Sequence, residues 1–137
     1  MPPAAGAATT SFPANFGPSS LRSSEFGASN SAGGWSSNDL FPRIMADVNG
    51  DRMADIVGFG IAGVSVARAV GGGNVGPAQP LSAEFGTSNA SGGWISQDLF
   101  PRKVADVDGD GGHRADIVGF GGNGVFVAQS FVDLFLV

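Results

Sequence analysis

Oxygen-bearing side chains recur at regular intervals in one segment of this 137-residue chain. The residues at positions one, three, five and nine of that segment are Asp47, Asn49, Asp51 and Asp55. Hard divalent cations bind six to eight oxygen ligands, and calcium accepts the irregular geometry of a loop. An EF-hand is not expected, because Gly58 stands at position twelve, where that motif has a bidentate Glu. The spacing therefore predicts a structural Ca²⁺ site.

A second segment keeps the same order of acidic residues. Asp106, Asp108 and Asp110 reproduce the spacing, and Asp116 follows after a two-residue insertion that displaces it, so we expect a remodelled second Ca²⁺ site. Acidic turns also bind their own backbone N–H groups without any metal. Both interpretations remain open for both segments.

A second set of residues combines aromatic rings with arginines. Each copy has a Gly-Gly-Trp segment followed eight residues later by an arginine, which gives Gly34, Trp35 and Arg43, then Gly93, Trp94 and Arg102. A tryptophan ring with a nearby fork of N–H donors is suited to a sugar, whose C–H face stacks on aromatic rings and whose polar groups need hydrogen bonds. Alternatively, the tryptophans are wedges between packed units and the arginines tie strands together.

These residues belong to an internal repeat. Trp35 and Trp94 lie 59 residues apart, and the same offset relates the segments that surround them. Such a period, with glycine-rich turns, is typical of stacked supersecondary units that bury their apolar faces against one another. We expect an arm over residues 1–24 that can donate a strand, a first repeat over 25–86 and a second over 87–137.

Short apolar runs between turn residues predict an all-β fold. The predicted strands of the first repeat cover residues 43–48, 54–60, 64–68 and 79–85, with a loop at 71–74, and those of the second cover 102–107, 115–121 and 124–130. Four antiparallel strands per unit describe a β-propeller blade. Either residues 131–137 or residues 20–26 supply the last strand. Two blades leave both outer faces open, so either the chain assembles with copies of itself or it is a piece of a longer gene product. Closure by homo-oligomerisation is the expected solution.

Composition excludes several classes of function. The net charge is −5 with seven scattered basic residues, so no nucleic-acid partner is expected, and without cysteine there is no disulfide or thiolate metal site. No apolar stretch is long enough to insert in a membrane, and the N-terminus is a poor signal peptide. We expect a soluble protein, either cytoplasmic or secreted by a non-classical route.

An enzyme is not expected. The single histidine, His113, lies in the segment 111–114 that makes the second repeat two residues longer, and it has no counterpart in the first repeat. No nucleophile, base and orienting group can be assembled from these residues.

The repeats resemble those of the Psathyrella velutina lectin type. The resemblance rests on the Gly-Gly-Trp and Pro-Arg segments and on Ala-Asp-Val-Asn-Gly-Asp with Ala-Asp-Ile-Val-Gly-Phe-Gly at residues 46–60. It implies a propeller related to FG-GAP repeats and recognition of N-acetylglucosamine, or of sialylated glycans, between blades. It also implies calcium in some Asp loops. The chain departs from the family at Phe41 and Phe100, where the family has histidine.

Two functions therefore remain. One is a glycan-binding lectin that uses the Gly-Gly-Trp and arginine residues at blade seams. The other is a calcium-stabilised scaffold for protein contacts, in which those residues are structural.

Overall fold

The two repeats form two antiparallel sheets. The computed structural model describes residues 16–109 and 112–131. The first sheet has the order β1-β2-β3-β4, with β1 Arg43–Ala46, β2 Asp55–Phe59, β3 Val64–Gly71 and β4 Asn74–Ser82. The second has the order β5-β6-β7, with β5 Arg102–Ala105, β6 Asp116–Gly121 and β7 Gly124–Ala128. Two short 3₁₀ turns, Asn30–Ala32 and Asn89–Ser91, complete the described elements. The all-β prediction is confirmed for this part of the chain.

The two sheets have the same register. In the first, Gly58 on the central strand lies opposite Arg43 and Ser65. In the second, Gly119 lies opposite Arg102 and Phe126. Strand positions that match in the sequence therefore match in space, and they can be compared pair by pair.

The fourth strand of the first sheet differs from the prediction. β4 begins at Asn74 and ends at Ser82, whereas the sequence indicated a loop at 71–74 and a strand at 79–85. Gly71, Gly72 and Gly73 all have positive φ, which closes a tight hairpin between β3 and β4. Because β4 is the edge strand, it can contain prolines, which cannot donate to a neighbouring strand.

The described part of the second sheet has three strands. Residues 20–26, one candidate for its fourth strand, form no strand and lie against β4 of the first sheet instead. Arg22 donates to the Asn74 side chain at 2.9 Å, and the Ala78 N–H donates to the Glu25 carboxylate at 2.7 Å. In the other candidate segment, residues 132–137 lie outside the described residues.

The main core lies between the two sheets. Its buried residues on the first sheet are Val57, Phe59, Val64 and Val66, and Phe85 and Trp94 lie on the connection to the second. Ile117 and Ala128 pack against this cluster from the second sheet. Burying these side chains is the main favourable term that holds the repeats together.

A Phe–Trp pair is inserted at the same place in each repeat. A Cβ atom on Gly119 would lie 2.6 Å from Trp94 and 2.7 Å from Phe85, so the rings occupy the space that a side chain would need. The same holds in the first repeat for Gly58 beneath Trp35 and Phe26. The central strand must therefore carry glycine at this position.

Backbone hydrogen bonds also cross from one repeat to the other. Thr87 and Ser88 donate to the carbonyls of Gly60 and Ile61, at 3.1 and 3.0 Å. Ala115 donates to the Asp47 carbonyl at 2.7 Å.

In the described part of the chain, no helix has the length and apolar character to cross a membrane.

Substituting Gly119 by alanine should destabilise the protein by about 1–3 kcal/mol, because the added methyl group pushes the Trp94 and Phe85 rings out of place. The measurement is urea unfolding followed by tryptophan fluorescence. Gly122→Ala is the matched control, since nothing lies within 4 Å of the added Cβ. Equal stabilities for the two variants would contradict the proposed role of the glycine.

Candidate ligand-binding site

The Gly-Gly-Trp segment of the second repeat is a rigid turn. The Ser88 hydroxyl accepts from the Ser91 N–H at 3.2 Å and caps the 3₁₀ turn. Gly92 and Gly93 have φ of 109° and 71°, values that favour glycine, and the Trp94 N–H donates to the Gly86 carbonyl at 3.0 Å. The first repeat has the same turn. The tryptophan is thus fixed in its direction.

The faces of Trp94 are covered by other aromatic rings. Its centroid lies 5.3 Å from Phe85, 6.4 Å from Phe100 and 6.2 Å from Phe126, and the residue is 8% exposed. Trp35 is half-buried and packs in the same way on Phe26 and Phe41. The structure therefore places both tryptophans as packing wedges, and a ligand can reach little of the Trp94 ring.

Arg102 is fully buried between the repeats. Its guanidinium donates to the Phe85 carbonyl of its own side and to the Asp39 and Leu40 carbonyls of the first repeat, each at 3.2 Å. It also lies 5.6 Å from the centroid of the Phe59 ring, a cation–π contact. Arg102 ties the repeats together, and it does not line the cavities beside the tryptophans.

Burial lowers the pKa of Arg102 to about 10, against the opposing effect of the nearby Asp39 carboxylate. The guanidinium still carries its charge at neutral pH. Because the charge is buried, losing its carbonyl acceptors would leave a desolvated cation without partners.

Arg43, the equivalent residue of the first repeat, is in a different environment. It donates to the Phe26 carbonyl at 2.9 Å, as Arg102 does to Phe85, but its side chain is exposed. The described structure has no earlier repeat against which it could pack.

Two cavities lie beside the Gly-Gly-Trp segments, one in each repeat. The first measures about 250 Å³ and is lined by Gly34, Trp35, Phe41, Ser65 and Ser82, among others. The second measures about 460 Å³ and includes Gly93, Trp94, Phe100 and Phe126. The second cavity falls within the range of about 300–1,000 Å³ that is typical of small-molecule sites.

The second cavity has more chemical variety than the first. Its lining residues include Glu84, Asn89, Ser91 and Asn123, which carry a carboxylate, two amides and a hydroxyl. Phe126 is 51% exposed there, and it takes the place that Ser65 has in the first repeat. An exposed ring with acidic and amide groups around it can bind a polyhydroxylated ring.

The sequence did not mark these lining residues as a site. Glu84 and Asn89 have identical counterparts in Glu25 and Asn30, but nothing in their spacing indicates a ligand, and Phe126 differs from its counterpart Ser65. The difference between Ser65 and Phe126 was the available signal, since an exposed aromatic in place of a serine marks a surface with its own role.

A third cavity of about 480 Å³ lies between the two sheets. Its lining includes the apolar residues Val57, Val64, Val66, Leu81, Ile117 and Ala128, together with Arg68, Arg114 and Phe131. The lining of this cavity at the seam is mainly apolar, and it shares no residue with the cavity of the second repeat.

The first acidic loop brings three carboxylates together. Asp47, Asp51 and Asp55 each have an oxygen within 4.8 Å of the others. Both oxygens of the buried Asp55 accept backbone N–H groups, from Val48 at 3.0 Å and Ala69 at 2.8 Å. The Asn49 side-chain oxygen accepts from the Asp51 N–H.

The second loop forms the equivalent cluster from Asp106, Asp108 and Asp116. Despite the insertion, Asp116 keeps its place, and its oxygens accept from the Val107 N–H at 2.9 Å and the Ser130 N–H at 2.8 Å. Asp110, which was expected to be a ligand, lies outside the described residues.

The hydrogen bonds to these carboxylates lower their pKa values. Burial acts to raise the pKa of Asp47, but backbone N–H groups, led by that of Arg52, outweigh it. For Asp116 burial again raises the pKa, and the bonds from Val107 and Ser130 outweigh it. Both groups are therefore held in the ionised form, in which they can accept hydrogen bonds or bind a cation.

The chain resembles one lectin of known structure. The chain is similar to the solved structure of an Agrocybe aegerita lectin, described for its specific recognition of non-reducing terminal N-acetylglucosamine. The two share 40% sequence identity with a TM-score of 0.75, over 85% of this chain and 27% of the other. The chain thus spans about a quarter of that lectin's length. No family model and no curated protein matches the chain.

Replacing Asp116 by asparagine should cost about 1–3 kcal/mol even without metal, because the amide nitrogen would face a backbone N–H donor and leave it unsatisfied. Urea unfolding in excess EDTA isolates this hydrogen-bonding role from any cation. Asp98→Asn, at an exposed carboxylate of the same repeat, is the control and should change little. An unchanged midpoint for Asp116→Asn would show that the bonds contribute nothing.

Proposed function

We propose that the protein is a carbohydrate-binding lectin that recognises terminal N-acetylglucosamine and has no enzymatic activity. The observation that carries the proposal is the 40% identity, at a TM-score of 0.75, to a lectin described as specific for this sugar. That lectin is a binding protein, which agrees with the expectation that this chain is not an enzyme.

The sugar site that we propose is the cavity of the second repeat. The exposed ring of Phe126 offers a flat apolar surface for the C–H face of the sugar. The Glu84 carboxylate accepts hydrogen bonds from hydroxyl groups, and the side-chain amides of Asn89 and Asn123 serve the acetamido group. Gly93 and Trp94 supply the wall.

The same cavity favours a neutral sugar over a sialylated one. Its described lining contains Glu84 and no lysine or arginine, and the chain has a net charge of −5. A sialic acid carboxylate would therefore meet like charge without a cationic partner. Terminal N-acetylglucosamine is accordingly the ligand of our proposal, and sialylated glycans are the weaker alternative.

For the architecture, we propose that the two sheets are neighbouring blades of a β-propeller whose ring is completed by further blades. The stacking of the two sheets, with a Phe–Trp wedge between them, supports this arrangement. Sequential antiparallel order within each sheet is the blade pattern. Propellers close with about four to eight blades, so the proposal requires further blades beside the two described here.

We also propose that Ca²⁺ binds at both acidic clusters. Three carboxylates with oxygens within 4.8 Å of one another fit a hard cation, which would neutralise their mutual repulsion. This property supports the second candidate function, a calcium-stabilised scaffold without sugar binding, as much as it supports the lectin. The sugar titration therefore decides between the two.

Titration with N-acetylglucosamine should show binding by the wild type, and Phe126→Ala should weaken it about tenfold, near 1.4 kcal/mol, by removing the stacking surface. Isothermal titration calorimetry is the measurement. Phe131→Ala is the matched control, since Phe131 is exposed beside the seam cavity. If Phe131→Ala loses affinity and Phe126→Ala does not, the sugar lies in the seam.

Glu84→Gln tests the polar side of the site and should weaken binding to a similar extent. Glu25→Gln changes the equivalent residue of the first repeat, whose carboxylate accepts from Ala78, and should leave the affinity unchanged. No binding of N-acetylglucosamine by well-folded wild type would favour the scaffold function.

Calcium should raise the melting temperature, and at one hundred times its Kd it should add about 2.7 kcal/mol to the free energy of unfolding. Differential scanning calorimetry with Ca²⁺, Mg²⁺ or EDTA is the measurement. Asp51→Asn removes one carboxylate of the first cluster and should reduce the increase, whereas Asp98→Asn should not. A melting temperature that is insensitive to both calcium and EDTA would exclude the cation sites.

A further inference from the structure

One face of the second sheet is apolar and uncovered in the described structure. On this face Phe120 is 41%, Val125 58% and Val127 47% exposed. Their equivalents in the first sheet are Phe59, Val64 and Val66, which are 0%, 1% and 4% exposed. In the first sheet these residues are covered by the second repeat. The second sheet thus presents the same surface without its cover.

The opposite end of the molecule presents the matching cover. Phe26 and Trp35 form on Gly58 the same wedge that Phe85 and Trp94 form on Gly119. Beside the wedge, Met45 is 58% exposed, whereas Val104 at the equivalent position is partly buried against the core. Arg43 is exposed where Arg102 is buried.

We propose that a second copy of this chain docks its Phe26, Trp35 and Arg43 end onto the Phe120, Val125 and Val127 face, by the packing that joins the two repeats within one chain. The inference rests on the blade architecture under the proposed function and does not depend on sugar binding. The occupant follows from the seam inside the chain, where one repeat covers the equivalent face of the other.

The arginine gives the docking its direction. Arg102 donates to the carbonyls of Asp39 and Leu40 and stacks on Phe59 across the internal seam. The equivalent acceptors for Arg43 are the carbonyls of Asp98 and Leu99 of the second copy, and the equivalent ring is its Phe120. The Arg43 link to its own Phe26 carbonyl is already formed. Its remaining N–H groups complete the set in the assembly.

The contact is head to tail, because the face and the wedge lie at opposite ends of one chain. A linear row of copies docked in this way has an uncovered face at one end and an unused wedge at the other. Only a closed ring covers every face and uses every wedge. Lys103 places a charged side chain on the docking face, at the position that Ile44 has in the internal seam. Its aliphatic stem can cover apolar surface while the charge stays in water.

The test measures the mass of the sugar-free protein by light scattering after size exclusion and by native mass spectrometry. The wild type should have a mass of at least two whole chains, each of 13.7 kDa. Val127→Asp places a charge on the docking face and should return the protein to the monomer mass. Val70→Asp makes the same change at a 64% exposed valine away from that face and should keep the wild-type mass.

Arg43→Ala should raise at least tenfold the protein concentration at which half of the chains are assembled. Arg68→Ala, at another exposed arginine, should leave that concentration unchanged. Circular dichroism and urea unfolding confirm that each variant is folded, so loss of assembly can be separated from loss of fold.

Mixing two variants tests the head-to-tail geometry. An Arg43→Ala chain keeps its docking face, and a Val127→Asp chain keeps its arginine, so the pair should form one intact junction and a mixed dimer. A face-to-face contact would give no rescue. A monomeric wild type at tens of micromolar, or a Val127→Asp variant that keeps the wild-type mass, overturns the proposal. In either case the sugar titration stands on its own result.

Discussion

The structure depends on one steric fit, in which a Phe–Trp pair occupies the space left by a glycine on the central strand of each sheet. Trp94 and Phe85 stand where the side chain of residue 119 would be, and the sheet can approach the connection closely only for that reason. The fit imposes strain, because Phe85 has a φ of 65°, a conformation that bulky residues rarely adopt. Arg102 holds the Phe85 carbonyl and so offsets part of that strain.

This fit also explains why the sugar site that we propose lies beside the tryptophans and not on them. A Trp ring enclosed by Phe85, Phe100 and Phe126 serves packing first, and the ligand can meet only the surface that packing leaves exposed. In the second repeat that surface is Phe126, at a position that contributes a serine in the first. The frame is therefore repeated, and the cavity that it supports differs between the repeats.

The sequence was sufficient for the frame because the frame is repeated. The offset between Trp35 and Trp94 predicted two equivalent β units, and strands β1 to β3 and β5 to β7 lie where the alternating patterns placed them, within a few residues. The strand prediction was wrong at β4, because the prolines and glycines of this segment are typical of a loop. A strand can form there only because β4 lies at the edge of the sheet. The cavity of the second repeat could not be predicted from the sequence, because the fold, and no regular sequence spacing, brings Glu84 and Phe126 into one lining.

The acidic loops show that the two interpretations of their carboxylates are compatible. Both oxygens of Asp55 and of Asp116 accept hydrogen bonds from backbone N–H groups. One of these bonds ties each loop to the third strand of its sheet, at Ala69, or to the residues just after it, at Ser130. Both carboxylates are therefore structural whether or not a cation binds. At Asp55 each oxygen accepts one of these bonds, so a second lone pair on each can face a cation, whereas Oδ1 of Asp116 also accepts from the Ser130 hydroxyl. Three negative groups within 4.8 Å repel one another, and the N–H donors offset that repulsion only in part. A cation would therefore add to a loop that is already formed, so it should raise the stability of the folded protein without being required for folding.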